Sequence, residues 1–409
     1  MSQLLEKIKS FPWKSTERKI YLNWCGAERI RGDVIAIEDR FRKWQHQYED
    51  DPKGCLLTLR EAISRSRRII SKILNCRNQE HILFTTGSEE SLKSVLFSHQ
   101  IIPYGSRILA TDCEFFGIYN KISKPRYRTD IAQIWAKTSK NDIIKEIVDN
   151  IFPDTKLLLI SHVCYNSGIA LPIEEICQKV KTKNPATFVL VDGAQAVGQI
   201  PVDLETLGCD FYAGDGHKWL VGPDQTGFLY IRSAEHLKTI AKDMCSAMAV
   251  HPNLNHNKGS RSGAIAFELA ALGEALLPFA TDNHLLTMQQ HNRTLAAIFR
   301  NLIEEKLSPY FSITPQIDFD NPTSTVSITL TNPENSTETL AHIHDDLLKE
   351  KIHCAIIKTI PEEFNTQIQI PPLLRFCFHF WNEEEEIDIV IKKLLLLAKR
   401  YELPQSEII

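Results

Sequence analysis

The sequence predicts an α/β protein: a mostly parallel, doubly wound sheet with a smaller α+β domain beside it. Three observations carry this expectation. Short apolar runs of strand length recur between Ile82 and Arg232, separated by segments long enough for helices. Two of these runs end on reactive side chains: Phe188–Val191 stops at Asp192-Gly193, and Phe211–Ala213 runs into Gly214-Asp215-Gly216-His217-Lys218-Trp219. Beyond about residue 270 the pattern changes to two long helical segments and then strands and helices in mixed order. A chain of 409 residues is long for one core, so the expected division is a large domain over 20–270 and a small one from 1–19 and 271–409.

Composition narrows the function classes. Apolar and charged fractions of 43% and 24% are those of a globular protein, and a net charge of −4 gives no basic footprint for nucleic acid. No apolar run approaches membrane-spanning length, and Met1–Lys19 lacks the apolar core of a secretion signal. The ten cysteines are scattered without a CxxC pair, so reduced thiols in a cytoplasmic protein are expected, with neither a disulfide frame nor a metal site.

Taken in order, Ile20–Gly26 reads as a strand after a charged leader, and Leu56–Leu74 as a helix with one apolar face. His81–Phe84 reads as a strand that passes through Thr85-Thr86-Gly87-Ser88 into a helix over Glu89–Phe97. A strand, a glycine turn and a helix start form an anion site, because free N–H groups and the helix dipole point at the ligand. Strands follow at Arg107–Thr111, Lys156–Ile160 and Gly227–Arg232. Helices are expected over Phe267–Phe279 and His284–Glu305, then strand Ser324–Leu330, helix Thr339–Lys349, strands Ile352–Ile357 and Leu373–Phe380, and a last helix over Glu383–Tyr401. Asn382 is its expected N-cap, with Glu385 three residues on.

Asp192 and Lys218 are thus brought to the carboxyl edge of one sheet, where ligands bind in open α/β folds. An amine in a partly desolvated site is available in its neutral form to make a Schiff base. An acid against a pyridine nitrogen keeps that ring protonated and turns it into an electron sink. The pairing therefore points to aldehyde-cofactor chemistry.

Val191-Asp192-Gly193-Ala194-Gln195, Gly208-Cys209-Asp210-Phe211-Tyr212 and Gly216-His217-Lys218-Trp219-Leu220 resemble motifs of one family. It is the class V aminotransferase group of fold-type I pyridoxal 5'-phosphate (PLP) enzymes, which includes cysteine desulfurases, isopenicillin N epimerase-like proteins and kynureninases. Matches in order run from about Tyr21 to Asn382. The resemblance implies PLP as cofactor, a homodimer, and an amine or amino acid as substrate. It implies Lys218 as covalent anchor and acid–base group, Asp192 at the ring nitrogen, and Phe115 and Ala194 on the two ring faces. It places Tyr165 and Gln195 near the ring hydroxyl, and Ser88, His217 and the helix start at the phosphate. Ser260 stands where the family's Thr reaches the neighbouring subunit's cofactor. Asn23 falls in the segment that enters beside the substrate, and Arg375 matches the arginine that binds the α-carboxylate; a structural salt bridge is the other reading of Arg375.

Three departures qualify the resemblance. No cysteine lies between Lys358 and Arg375, where a desulfurase nucleophile is expected, and Cys354 reads as a core thiol. Phe115 replaces an imidazole, so stacking is kept and a proton carrier is lost. Asp215 and Glu89 replace hydroxyl side chains at the phosphate site, where two carboxylates are costly unless paired or turned away; Arg261 is a candidate partner. Amino transfer is the leading expectation, with epimerisation and β-elimination behind it. A binding protein with a decayed phosphate site is the rival from another class, and a visible absorbance band removed by borohydride separates the two.

Overall fold

The computed structural model describes residues 19–26, 31–47, 52–122, 125–244, 266–281, 283–332, 336–358 and 370–403. Thirteen strands are described: β1 (Ile20–Tyr21), β2 (Ile82–Thr85), β3 (Arg107–Thr111), β4 (Arg128–Ala132), β5 (Thr155–Ser161), β6 (Phe188–Asp192), β7 (Phe211–Asp215), β8 (Gly227–Ile231), β9 (Phe311–Ile313), β10 (Thr325–Leu330), β11 (Ile352–His353), β12 (Ala355–Ile357) and β13 (Leu373–Cys377). The large sheet has seven strands in the order β2-β8-β7-β6-β5-β3-β4. Only β8 runs antiparallel to its neighbours. The central strands are apolar on both faces, Leu157–Ile160 and Val189–Val191 being wholly buried, as expected of a sheet covered by helices on both sides. This is the predicted doubly wound α/β fold.

Register sets the functional edge. Ser161 lies opposite Asp192, and Asp192 opposite Ala213, so the ends of β5, β6 and β7 form one row. Gly227 pairs with both Thr85 and Asp215, which puts the end of β2 next to the end of β7 across β8. A Cβ on Gly227 would lie 2.4 Å from the Gly87 Cα, so only glycine lets that turn close beside Asp215.

A second sheet, β12-β13-β10-β9, is antiparallel and has its own core around Phe299, Phe376 and Leu394. The parallel pair β1–β11 joins the N-terminal segment to it. Ile20 and Leu22 pack in this second core, whereas Trp24 and Cys25 pack in the first.

Four local expectations are corrected. The strand expected over Ile352–Ile357 is two strands in different sheets, broken at Cys354. The strand expected over Leu373–Phe380 stops at Cys377, where Phe378 turns to bond Ser324. The last helix, Glu384–Arg400, is capped by Glu383 and Glu386. Asn382 is unavailable as its cap because its amide donates to the Tyr21 carbonyl at 3.0 Å and accepts from Trp24 Nε1 at 2.9 Å. Finally, Cys25 and Cys377 are joined, although reduced thiols were expected; the β-bridge between Asn23 and Cys377 brings these two cysteines, 352 apart in sequence, together. Cys76, Cys113, Cys164, Cys177, Cys209 and Cys354 are free and buried.

Candidate active site

A cavity of about 570 Å³ opens at the carboxyl edge of the large sheet. Its wall includes Ser88, Glu89, Phe115, Tyr165, Asp192, Ala194, Gln195, Asp215, His217, Lys218 and Arg375, all of them expected from the sequence. Ser260 and Arg261 lie outside the described residues. Asn23 does not line the cavity; it stands behind Arg375 and accepts from its Nη2 at 3.4 Å.

Asp192 closes the floor. Its Oδ1 accepts the Ala194 N–H at 3.0 Å, and its Oδ2 has no hydrogen bond among the described residues. Burial raises its pKa to about 6, against the lowering effects of that bond and of Lys218. Gly193 follows because a Cβ there would meet Tyr212 at 2.2 Å. Phe115 meets the Tyr165 ring edge-on with centroids 5.4 Å apart, which stiffens one wall. Burial pushes the Tyr165 phenol up to about 12, so it enters as a neutral O–H. Both ends of the Gln195 amide are engaged: Nε2 donates to the Cys25 carbonyl at 2.9 Å, and Oε1 accepts from Trp219 Nε1 at 2.9 Å. The second Nε2 hydrogen is what remains for a ligand.

At the opposite end lies the cup expected from the sequence to take an anion. Asp215 Oδ1 accepts the Ser88 N–H at 2.6 Å and Oδ2 accepts the Ser88 hydroxyl at 2.9 Å. Lys218 Nζ is 2.9 Å from Asp215 Oδ2. Burial raises the Asp215 pKa, yet Lys218, His217 and the Ser88 amide together hold it below the usual carboxylate range. His217 turns Nδ1 to the Thr226 carbonyl at 2.7 Å, leaving Nε2 toward the cup. Glu89 is half exposed and paired with Lys121 at 2.9 Å and Lys93 at 3.2 Å, and Lys121 is the main cause of its lowered pKa. Of the two unexpected acids, Glu89 is therefore neutralised within its own helical neighbourhood, and Asp215 is the one that enters the cup.

Arg375 marks the third corner. It is 3% exposed, and its Nη1 donates to the Tyr165 carbonyl at 2.5 Å. Its Nε has no partner among the described residues. Burial brings the guanidinium down to about 10. A buried cation with only neutral acceptors fits an incoming carboxylate.

Sequence reasoning missed a layer behind the floor. Glu114 is fully buried, with Thr111 Oγ1 at 2.7 Å from Oε1 and Ser161 Oγ at 2.6 Å from Oε2. Burial raises its pKa to about 7, the charge of Asp192 adding to the effect. The signal was present: Glu114 immediately precedes Phe115, three residues beyond the end of a buried strand. Cys25 also lines the cavity, which only the tertiary fold reveals.

A profile of the family described as Aminotransferase class-V matches residues 36–390. Isopenicillin N epimerase of Amycolatopsis lactamdurans is 32% identical over 158 residues, covering 37% of this chain and 39% of the epimerase. The chain thus matches about two fifths of that relative's length. Cysteine desulfurase of Yersinia pestis bv. Antiqua (strain Angola) is 28% identical over 297 residues, 68% of this chain and 70% of the relative. Among solved structures, the cystine C–S lyase C-DES bound to cysteine persulfide superposes with a TM-score of 0.75 at 21% identity, over 92% of this chain and 97% of the lyase. The Escherichia coli cysteine desulfurase CsdA gives a TM-score of 0.75 at 15% identity, over 97% and 98%.

Proposed function

The chain belongs to the class-V aminotransferase family of fold-type I enzymes, whose cofactor is pyridoxal 5'-phosphate, and from that membership we propose that it acts at the α-carbon of an amino acid held by its carboxylate. The single observation that carries this reading is the buried Nε of Arg375, without a partner among the described residues, in the same cavity as Lys218.

The residues present fit the cofactor at its ring end. Asp192 offers a buried carboxylate oxygen without a hydrogen bond among the described residues, and Phe115 and Ala194 offer apolar walls. At the phosphate end, Ser88, His217 and the helix start fit an anion, and Asp215 is the one group that opposes it. Bound, the cofactor supplies an aldehyde and an electron-withdrawing ring. Lys218 would supply the amine for that aldehyde, and its Nζ would be the group that moves the α-proton. Asp192 holds the proton of the ring nitrogen, Phe115 excludes water from one face, and Arg375 orients the substrate.

Loss of the α-proton is shared by amino transfer, epimerisation and β-elimination. The named relatives are desulfurases and an epimerase and a solved neighbour is a C–S lyase, so we place elimination level with amino transfer. A desulfurase step through an enzyme thiol is disfavoured, since Lys358–Arg375 contains no cysteine. Screening amino acids for a change in the visible band, with product analysis, tests the reading. Product formed only with a keto-acid acceptor means transfer; keto acid plus ammonia without acceptor means elimination; loss of optical rotation means epimerisation. No spectral response to any amino acid would contradict it.

We also propose a homodimer acting in the cytoplasm. The support for the dimer is the resemblance around Lys258–Gly263, and light scattering showing an active, cofactor-loaded monomer would remove it. Among the described residues no helix is long and apolar enough to cross a membrane.

A further inference from the structure

The anion cup is already occupied by the chain's own carboxylate. Asp215 takes both donors of Ser88, N–H at 2.6 Å and hydroxyl at 2.9 Å, and is only 2% exposed. Its cation is Lys218, with Nζ at 2.9 Å. The side chain expected to react with the aldehyde is therefore also the counter-ion that keeps Asp215 charged.

Among the described residues, the remaining charges around Asp215 can be named. His217, on the same connection, has Nε2 3.9 Å from Oδ1. Glu89, on the facing helix, is turned to Lys93 and Lys121, so those lysines are engaged elsewhere. Asp192, on the neighbouring strand, adds negative charge. Gly87 and Gly227, which close the other sides, bring no charge at all. When the cofactor arrives, its phosphate competes for the Ser88 donors and its aldehyde engages Lys218. Asp215 then gains an anionic neighbour and loses its nearest cation. A buried carboxylate in that position must be neutralised or turned out of the cup, and Asp215, 2% exposed with both oxygens held by Ser88, is better placed to take a proton than to leave.

We propose that Asp215 takes up a proton from solvent when the cofactor binds, and so presents an O–H rather than a carboxylate to the phosphate. The inference rests on the PLP reading of the site. It makes an apparent misfit into a hydroxyl donor, at the cost of coupling cofactor affinity to pH. No bond to Asp215 is made or broken beyond that to the proton.

The test compares PLP binding by the full-length apo-protein with that of Asp215→Asn, an isosteric side chain that donates without titrating. Dissociation constants are measured from pH 6.5 to 8.5. The phosphate's own titration is common to both proteins, so the difference in slope isolates Asp215. Wild type should lose affinity with rising pH more steeply than the variant, by up to about tenfold per pH unit. Calorimetry in two buffers of different ionisation heat should show up to about one more proton taken up by wild type. With pyridoxal, which lacks the phosphate but keeps the aldehyde that engages Lys218, the difference between the two proteins should shrink. Parallel pH profiles and equal proton uptake would overturn the proposal while leaving the PLP reading intact. If the Asn variant does not fold by circular dichroism, Asp215→Ser is measured in its place under the same criteria. If neither protein forms a borohydride-reducible adduct with PLP, the proposed function fails and this inference falls with it.

Discussion

Replacing Arg375 by Met should abolish discrimination between an amino acid and the same compound without its carboxylate. Arg375 sits on β13, 3% exposed, with Tyr165 and Asn23 oxygens as its only described acceptors. Both are neutral, and Nε has no partner among the described residues. The guanidinium is therefore a desolvated cation awaiting an anion, consistent with a pKa brought down to about 10 by burial. Breaking one partner of a buried ion pair costs about 3–5 kcal/mol. At roughly 1.36 kcal/mol per tenfold, that is about 150- to 5,000-fold in affinity. Methionine keeps the length and much of the volume of the side chain, so no large cavity confuses the result. The assay is the dissociation constant of a responding amino acid and of its decarboxylated amine, read from the visible band, in both proteins. Wild type should favour the amino acid by the factor above, and the variant should bind both within a few-fold. Thermal stability should not fall, because the change removes a buried charge with no carboxylate partner among the described residues. Persistent discrimination in the variant, or a stability loss of several kcal/mol, would refute the reasoning and return Arg375 to a structural role.

Three further predictions concern the buried acid behind the cavity floor and the cysteines. Glu114, with a pKa raised to about 7 in the fold, is neutral at pH 5 in the native state but ionises when unfolded, so it contributes stability that is full below about pH 4.5 and lost as pH rises to about 7. Glu114→Gln should therefore gain on wild type between pH 5 and 7, by about 2–3 kcal/mol, in denaturant titrations at the two pH values; a constant difference would show that Glu114 is ionised throughout. Alkylation of the denatured protein without reductant should spare Cys25 and Cys377 and modify Cys354, and modification of all three would show the pair to be open. Cys354→Ala should leave turnover within a few-fold, because that thiol is buried in the second core and pushed up to about 12 by burial.

What the sequence made legible was local. Asp192 and Lys218 could be placed at a ligand edge because each follows a buried apolar run, and a strand end can be read without knowing its neighbours. Ser88 could be placed at an anion site from a strand, a glycine and a helix start alone. The pairing of Asp215 with Ser88 was not legible, because it depends on β2 and β7 flanking an antiparallel β8. The same limit hid the Cys25–Cys377 pair and the tie between Asn23 and Arg375, which arise only when the N-terminal segment meets β13. Asn382 shows the limit at one residue: its sequence context suits a helix cap, and its tertiary context claims the amide first.

The account stands or falls on the amine that carries the cofactor. Protein loaded with PLP should show a visible band at about 410–430 nm that disappears on borohydride reduction. Peptide mapping of the reduced protein should then find the pyridoxyl label on Lys218, which lies beside Asp215 at the carboxyl edge of the sheet. Label on another lysine, or no reducible band at saturating PLP, would contradict it.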